Sequence, residues 1–318
     1  MALVLSKHEV EQLITMEEAI AVTRAVHQEQ GEGAVVAQAP YHIKVEGGAL
    51  RVVSGALLQS GFMGARMGSA VGLGARVPNL ATLFDTRTGE LLSVMTYPFG
   101  TLRTGASIAL AADLLSNPDS AVVGLIGGGR NALSLLKGVC AVRGIRHIHV
   151  HSRSPEGRQA FAEEASRLLA LPVSAAASGE EAVAEADIVL VATNATSAVL
   201  QGSWIKPGAH VSGMGRPAEI DISVYRRADR IAVSSMTHEE NFHDAHAFHP
   251  LMSLVGSGSL PAGTVFELGE AVLGRQGRTS PNEITLFKES GGGFGDMALA
   301  AAVYRKARER GLGTEMPL

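Results

Sequence analysis

The chain is poor in several things, and each shortage excludes something. Its 318 residues hold one cysteine, Cys140, one tryptophan, and only 4% aromatics. A lone cysteine rules out an internal disulfide, and a reducing, cytoplasmic setting is the expectation. Neither sign of charge dominates: 27 basic residues face 31 acidic ones, a formal net charge of −4. That balance gives no electrostatic footprint for nucleic acid or for an anionic membrane as a partner. No apolar run approaches about 18 residues and no charged-then-apolar leader opens the chain, so neither spanning nor secretion is expected. Glycine, by contrast, is abundant at 37 residues, which implies many tight turns and close backbone approaches. With 46% hydrophobic and 18% charged residues, the chain has enough length and apolar content for two globular units.

The glycines say most between Ala121 and Ala132. An apolar run ends in Gly127-Gly-Gly129 and opens through Arg130 and Asn131 into a helical pattern at Ala132. This is the entry to a dinucleotide-binding βαβ unit. Gly127 allows the tight turn, Gly129 lets backbone approach a diphosphate, Ala132 lets helix pack on strand, and the helix N-terminus supplies amides. A glycine turn in an unrelated α/β domain shares the string, but the setting favours the first reading. Ala132, Leu135, Leu136, Val139 and Cys140 fall on one helical face, which makes Cys140 an expected buried thiol. The strand from Ile145 to His151 then follows at the right distance. It ends in His151-Ser152-Arg153-Ser154, without the carboxylate that takes ribose hydroxyls in NAD-selective sites. Arg153, with Ser152 and Ser154 as donors, suits a 2′-phosphate. NADP(H) is therefore the preferred cofactor, with NAD(H) left open; a merely solvated Arg153 is the alternative.

Elsewhere, Ser6–Glu9 and Thr15–Glu18 have capping-box spacing, the second leading a helix with Ile20, Val22 and Val26 that stops near Gly31-Glu-Gly33. Residues 35–97 alternate β-rich runs with glycine turns, Asp85–Gly89 reading as a hairpin turn, so an antiparallel or mixed sheet is expected. A helix from about Thr104 to Leu115 ends at Asn117-Pro118-Asp119, a domain crossing. Strands follow near 121–126, 146–151, 172–175, 186–192, 210–212 and 231–234 with helices between, the pattern of a parallel, doubly wound sheet. The last helix, about 296–310, is apolar on one side and basic on the other.

Several of these segments together resemble the ornithine cyclodeaminase/mu-crystallin family. They are Leu102-Arg103-Thr-Gly-Ala106, Gly127-x-Gly129-x-x-Ala132, Glu267-Leu-Gly-Glu270 with Gly277-Arg-Thr-Ser280, Glu283-Ile-Thr-Leu-Phe-Lys288, and Asp296. The similarity runs from about residue 4 to 312. It implies an α/β chain in which a Rossmann doubly wound parallel-sheet domain, residues 117–294, is inserted in a second α+β domain. That second domain, residues 1–116 plus 295–318, would bind substrate and build a homodimer. The activities implied are cyclodeamination of ornithine to proline, reduction of cyclic or linear imines, and alanine dehydrogenation, all with NAD(P).

Residue by residue, the resemblance is incomplete. Arg103 matches a family arginine. His42, after Pro40, stands where the family has an arginine, and Arg66, in Gly64-Ala-Arg66, where it has a lysine. The family's aspartate after the His210-Val-Ser-Gly-Met-Gly215 strand is missing: Arg216-Pro217 follows at once, and Glu219 and Asp221 are merely nearby. Arginine stays charged at any working pH, so Arg66 orients a carboxylate but shuttles no proton. Cyclodeamination needs proton transfers near neutral pH, whereas hydride transfer to an imine or carbonyl asks mainly for alignment and charge. The expected function is thus an NAD(P)-dependent oxidoreductase that reduces an imine or 2-oxo acid, or oxidises the matching amino acid. Arg66 and Arg103 would hold the substrate carboxylate, with His42 or water supplying the proton. Ornithine cyclodeaminase and a non-catalytic NADPH- or small-ligand-binding protein remain the alternatives.

Further cofactor contacts are expected from Thr193, Asn194, Met214 and Gly215 at strand ends. Asp296, after Gly291–Gly295, is expected either to cap the last helix or to lie in a loop near the nicotinamide. Arg103, in the first turn of its helix, opposes the macrodipole by about 0.3–1 kcal/mol, a placement that a bound anion would explain. In His238–His249, residues His243, His246 and His249 share a helical spacing that suits zinc or nickel. They lack the H-E-x-x-H arrangement, and a polar segment without metal is the preferred reading.

Overall fold

The computed structural model describes residues 1–71, 79–245 and 248–317. In chain order, β1 (Ala2–Leu5), α1 (Lys7–Glu11) and α2 (Met16–Gly31) precede β2 (Val35–Ala37), β3 (Tyr41–Val45), β4 (Gly48–Leu57), β5 (Phe62–Val71), β6 (Leu80–Asp85) and β7 (Leu91–Thr96). After α3 (Gly100–Leu115) come β8 (Val122–Ile126), α4 (Ala132–Val142), β9 (His147–His151), α5 (Pro155–Leu169), β10 (Val173–Ala175), α6 (Gly179–Val183), β11 (Ile188–Val191) and β12 (His210–Gly213). The remainder is α7 (Ile222–Arg227), β13 (Arg230–Val233), α8 (Met236–Ala245), α9 (Pro250–Gly256), β14 (Val265–Glu267), α10 (Leu268–Val272), β15 (Thr285–Lys288), α11 (Gly293–Arg310) and β16 (Thr314–Met316).

Two compact units result: Met1–Arg103 with Gly291–Leu318, and Thr104–Ser290. The divisions fall at 103/104 and 290/291 rather than at the expected 116/117 and 294/295. The first shifts because Ile108, Leu110, Ala111 and Leu115 of α3 are fully buried in one cluster with Val123, Leu136 and Val139. The second shifts because Phe294 packs edge-on against the His27 ring, centroids 5.5 Å apart.

The first unit is a mixed sheet of order β16-β1-β7-β6-β5-β4-β2, with β3 paired to β4. Both capping boxes form, at Ser6/Glu9 and Thr15/Glu18. The buried residues of α2 are Ala19, Thr23, Val26, His27, Glu29 and Gln30, while Ile20 and Val22 are only half-buried. Polar groups are tolerated there because they satisfy one another: Thr23 Oγ1 donates to Ala19 O at 2.7 Å, and His27 Nδ1 lies 2.6 Å from Gln30 Oε1. The Asp85 carboxylate accepts the Arg87 and Thr88 amides at 2.8 and 2.9 Å. Gly89, at φ +72°, then completes the β6–β7 turn in the left-handed region that glycine enters without strain.

The second unit is an eight-stranded sheet of order β10-β9-β8-β11-β12-β15-β13-β14, parallel at every pairing. Apolar side chains line both of its faces, as a doubly wound sheet requires: Ile188 and Leu190 enter one core cluster, Val189 and Val191 the other. Two of its strands, β14 and β15, were not among those expected. Among the described residues, no helix is long and apolar enough to cross a membrane.

Candidate active site

In the second unit β9 and β10 lie to one side of β8, and β11 and β12 to the other. The carboxyl ends of β8 and β11 therefore flank the point where strand order reverses, the usual place for a ligand crevice in an open parallel sheet. Gly127 leaves β8 at φ +112°, and a Cβ there would sit 2.3 Å from Ala192 O. Its amide donates to His151 O at 2.8 Å. A Cβ on exposed Gly129 would meet nothing within 4 Å, so backbone is open to a ligand there. Ala132 is fully buried at the start of α4. Asn131 is the N-cap of α4 but makes no side-chain cap bond, and the Ala132 amide donates to Gly129 O at 3.0 Å. Arg130 is exposed. Cys140 is half-buried rather than buried, and burial pushes its thiol up to about 11.

The segment after β9 is partly committed to its own backbone. Ser154 is the N-cap of α5: its hydroxyl accepts the Gly157 amide at 3.0 Å and donates to Glu156 at 3.1 Å. Arg158 Nη1 donates to Ser152 O at 3.2 Å, while Arg153 stands exposed and Ser152 half-buried.

At the ends of β11 and β12 the controlling group is Glu219, which sequence reasoning noticed but did not place. It is fully buried. Its carboxylate accepts the Gly215 amide at 2.6 Å, the Thr193 hydroxyl at 2.8 Å and the Thr193 amide at 3.3 Å. Burial pushes this carboxyl up, against the opposing pull of Lys288 and of these hydrogen bonds. Lys288, 1% exposed, donates from Nζ to Gly215 O at 2.7 Å. The Gly215 backbone is thus gripped at both its N–H and its C=O. A Cβ on Gly215 would fall 2.2 Å from Glu219 Oε2, so no side chain fits at that position. Asp221 is spent on capping α7, accepting the Ser223 amide at 2.8 Å. Asn194 is exposed and Met214 half-buried.

The first unit gathers a different group. Cross-strand neighbours share a face of a sheet. Arg51 opposes His42 on one side and Gly68 on the other, and Arg66 opposes Val53 and Ala81. His42, Arg51 and Arg66 therefore share one face. The start of α11 approaches it closely, because a Cβ on Gly55 would lie 2.4 Å from Phe294 N. Asp296, 2% exposed, accepts from Arg66 Nε at 2.7 Å and from the Tyr97 hydroxyl at 2.9 Å, and pairs with Arg103 Nε at 3.3 Å. Its expected place as N-cap is corrected: Gly292 is the cap and Asp296 lies inside the first turn. Two arginines and a tyrosine thus converge on its carboxylate. Arg66 Nη1 reaches Asn79 Oδ1 at 3.4 Å. Burial, then the Asp296 charge, raises the Tyr97 phenol well above its ordinary value, with Arg103 and Arg66 opposing.

Arg51, Asn79 and Tyr97 were not foreseen. The one sequence signal was a charge, Arg51, interrupting the apolar run Leu50–Val53. His42 is exposed on β3. Desolvation, with Arg51 and Lys44 nearby, holds its ring below the ordinary value.

Of the histidine stretch, the side chains of His238 and His249 are described and that of His243 lies outside the described part. His249 caps α9, accepting the Met252 amide on Nδ1 at 3.3 Å. Its Nε2 lies 2.9 Å from Glu239 Oε2, both side chains fully buried. Buried His238 approaches Ser290 O at 3.5 Å. His246 lies outside the described residues, and no three metal-ligating side chains converge among those described.

A parallel, doubly wound sheet with a glycine turn at its switch point defines a Rossmann-type domain, here within a chain that also builds an α+β unit. The chain belongs to the ornithine cyclodeaminase/mu-crystallin family, whose model matches residues 1–311. It is 31% identical over 219 residues to an uncharacterized cyclodeaminase from Sinorhizobium fredii, covering 67% of this chain and 64% of that protein. Among solved structures, it is similar to Delta(1)-pyrroline-2-carboxylate reductase of Thermococcus litoralis in complex with NADH and L-proline. The TM-score is 0.86 at 31% identity, over 99% of this chain and 100% of that one. An archaeal alanine dehydrogenase, a dimer with bound NAD, gives a TM-score of 0.87 at 26% identity, over 100% and 99%.

Proposed function

We propose that the protein is an NAD(P)-dependent oxidoreductase that reduces an imine or 2-oxo acid, or oxidises the matching amino acid. The observation that carries this reading is that the chain has both a coenzyme-type glycine turn and guanidinium groups held by Asp296, Arg66 standing where the family resemblance has a lysine. Gly127–Ala132 would hold the coenzyme diphosphate, and Thr193, Asn194, Met214 and Gly215 the sheet-edge contacts, with Glu219 and Lys288 fixing Gly215. When bound, the nicotinamide supplies a hydride to the substrate carbon. Arg66 and Arg103, oriented by Asp296, would clamp the substrate carboxylate. Tyr97 stays protonated at working pH and donates to Asp296. His42 or water would supply the proton. Cyclodeamination asks more, since loss of ammonia and ring closure need proton transfers near neutral pH.

Finer points belong to the same proposal. Exposed Arg153, with no carboxylate beside it in the sequence, favours NADP(H). Tyr41, Ile43 and Val45 stand 66%, 47% and 54% exposed along β3, a pattern that suits burial in a homodimer. A single half-buried thiol suits the cytoplasm. The decisive assay follows loss of reduced-nicotinamide absorbance with a panel of cyclic imines and of 2-oxo acids plus ammonia. Turnover supports the reading; prompt release of proline and ammonia from ornithine would overturn it in favour of cyclodeamination. Arg153→Ala should weaken NADPH at least about tenfold more than NADH, one charge-assisted contact's worth, and equal losses would discard the NADP assignment.

A further inference from the structure

We infer that Glu219 and Lys288 are positioning residues for the nicotinamide half of the coenzyme, acting through the ends of β11 and β12 and not on the adenosine half. This rests on the proposed oxidoreductase reading and deepens it at one end of the same site. Strand order sets where each half would lie. The glycine turn leaves β8 and the Arg153 segment follows β9, so the adenosine half would extend to that side of the sheet. The other mononucleotide half would then cross the switch point to the carboxyl ends of β11 and β12.

Both strands run out into loops, and one side chain ties the two loops together. Glu219 Oε2 accepts the hydroxyl and amide of Thr193 after β11, while Oε1 accepts the Gly215 amide after β12. The same residue holds the far end of the loop after β11: Glu219 O accepts the Val199 amide at 2.8 Å, and Leu200 bridges to Ile220. Within that loop the Thr193 hydroxyl accepts the Ala195 amide at 3.1 Å. Residues 193–199 therefore begin and end on one glutamate. Lys288, the last residue of β15, is the Cα partner of Gly213 and reaches Gly215 O from the neighbouring strand. Three adjacent strand ends are thus joined by two buried side chains, and the lysine charge is felt at Glu219, where it opposes the cost of burying the carboxylate. A buried ion pair is a weak source of stability, since apolar residues of similar volume often serve as well. Its effect here is on direction: the Gly215 peptide is held from both its N–H and its C=O, and Thr193 from both its hydroxyl and its amide. An edge that seats a planar ring against a reacting carbon needs its placement held to about 0.5 Å. Buried as they are, the two charges act through those backbone groups.

The test separates the two halves of the coenzyme. Adenosine diphosphoribose, with and without a 2′-phosphate, lacks only the nicotinamide, and its Kd is measured beside that of the matching reduced coenzyme. Glu219→Gln sets an amide donor against three donors, and Lys288→Met removes the cation. Each should weaken the reduced coenzyme at least about tenfold, the scale of one charge-assisted contact, while leaving adenosine diphosphoribose within about twofold. In turnover, kcat should fall with substrate KM little changed, and 4-deuterated coenzyme should show a larger isotope effect on kcat than in the wild type. Both side chains are buried, so Thr193→Val supplies a second and milder variant. It should show the same split between the two ligands, and Thr193→Ser, which keeps the hydroxyl, should recover most of the loss. Equal loss of both ligands, or Thr193→Ser no better than Thr193→Val, overturns the inference and leaves the oxidoreductase reading standing. A wild type that binds reduced coenzyme but turns over no imine or 2-oxo acid defeats that reading; the split in binding then decides the inference alone. A wild type that binds neither ligand overturns both.

Discussion

Asp296 is the place to press hardest, because two arginines and a tyrosine depend on it at once. Its side chain is 3% exposed; those of Arg66 and Arg103 are 17% and 15% exposed. Asp296→Ala would leave two guanidinium groups facing each other across a void and the buried Tyr97 hydroxyl without its acceptor. Removing one partner of a buried pair costs about 3–5 kcal/mol. Because both arginines retain some access to water, the lower end applies, about 3 kcal/mol, with about 1 kcal/mol more for the tyrosine hydrogen bond. Arg66→Ala should cost less, about 1–2 kcal/mol, since Asp296 keeps Arg103 and Tyr97. The double variant should then fall short of the sum by about 1–3 kcal/mol, the coupling typical of residues in one network. Equilibrium urea unfolding at pH 7, followed by circular dichroism, measures all three. A loss below about 1 kcal/mol for Asp296→Ala, or additivity within about 0.3–0.5 kcal/mol, would show that the cluster is not the coupled unit described.

Two further outcomes follow from groups in the second unit. His210 is fully buried between Thr285 Oγ1 and Ser212 Oγ, both at 2.9 Å, and burial, with Arg278 and Arg143, lowers it from 6.5 to about 3. The unfolded chain therefore binds the extra proton, and stability should fall as pH drops below 6.5, by about 1.4 kcal/mol per pH unit from this group, levelling near 3. Urea midpoints of wild type and His210→Gln across pH 6 to 4 should diverge in slope by that amount; parallel slopes refute it. Gly127→Ala places a methyl group 2.3 Å from Ala192 O at φ +112°. It should weaken coenzyme binding at least about tenfold in a fluorescence titration, and an unchanged Kd would mean the turn is not part of the coenzyme site.

How far the molecule was legible depended on the range of the interactions concerned. The capping boxes at Ser6 and Thr15, the Asp85–Gly89 turn and the Gly127 turn are written within a few residues, and each formed as its local chemistry dictates. The strands carrying Leu125 or Leu190 announced themselves as apolar runs. By contrast β15 is four residues long, and nothing in Thr285–Lys288 distinguishes a strand from a motif until its neighbours are known. The partners of Asp296 escaped for a related reason: Arg66 is 230 residues away in sequence and Tyr97 199. Glu219 was visible as a carboxylate, but its hold on Gly215 depends on how the chain turns between β12 and α7. Arg51 was hidden by its setting, since a charge on a short β-rich run ordinarily reads as solvated.

One feature of the parallel sheet bears on how the protein is made. β15 is the last of that sheet's strands to be synthesised, yet it lies between β12 and β13, pairing in parallel with both. On the ribosome, the β13–β14 pair has nothing to dock against until residue 288 has emerged. The five strands made first can associate in a growing chain; the outer ones wait for a late wedge. Vectorial assembly is therefore interrupted, and sequence-distant pairing of this kind is slow and exposes edges. A nascent chain stalled before residue 285 is the form that chaperones should bind most persistently.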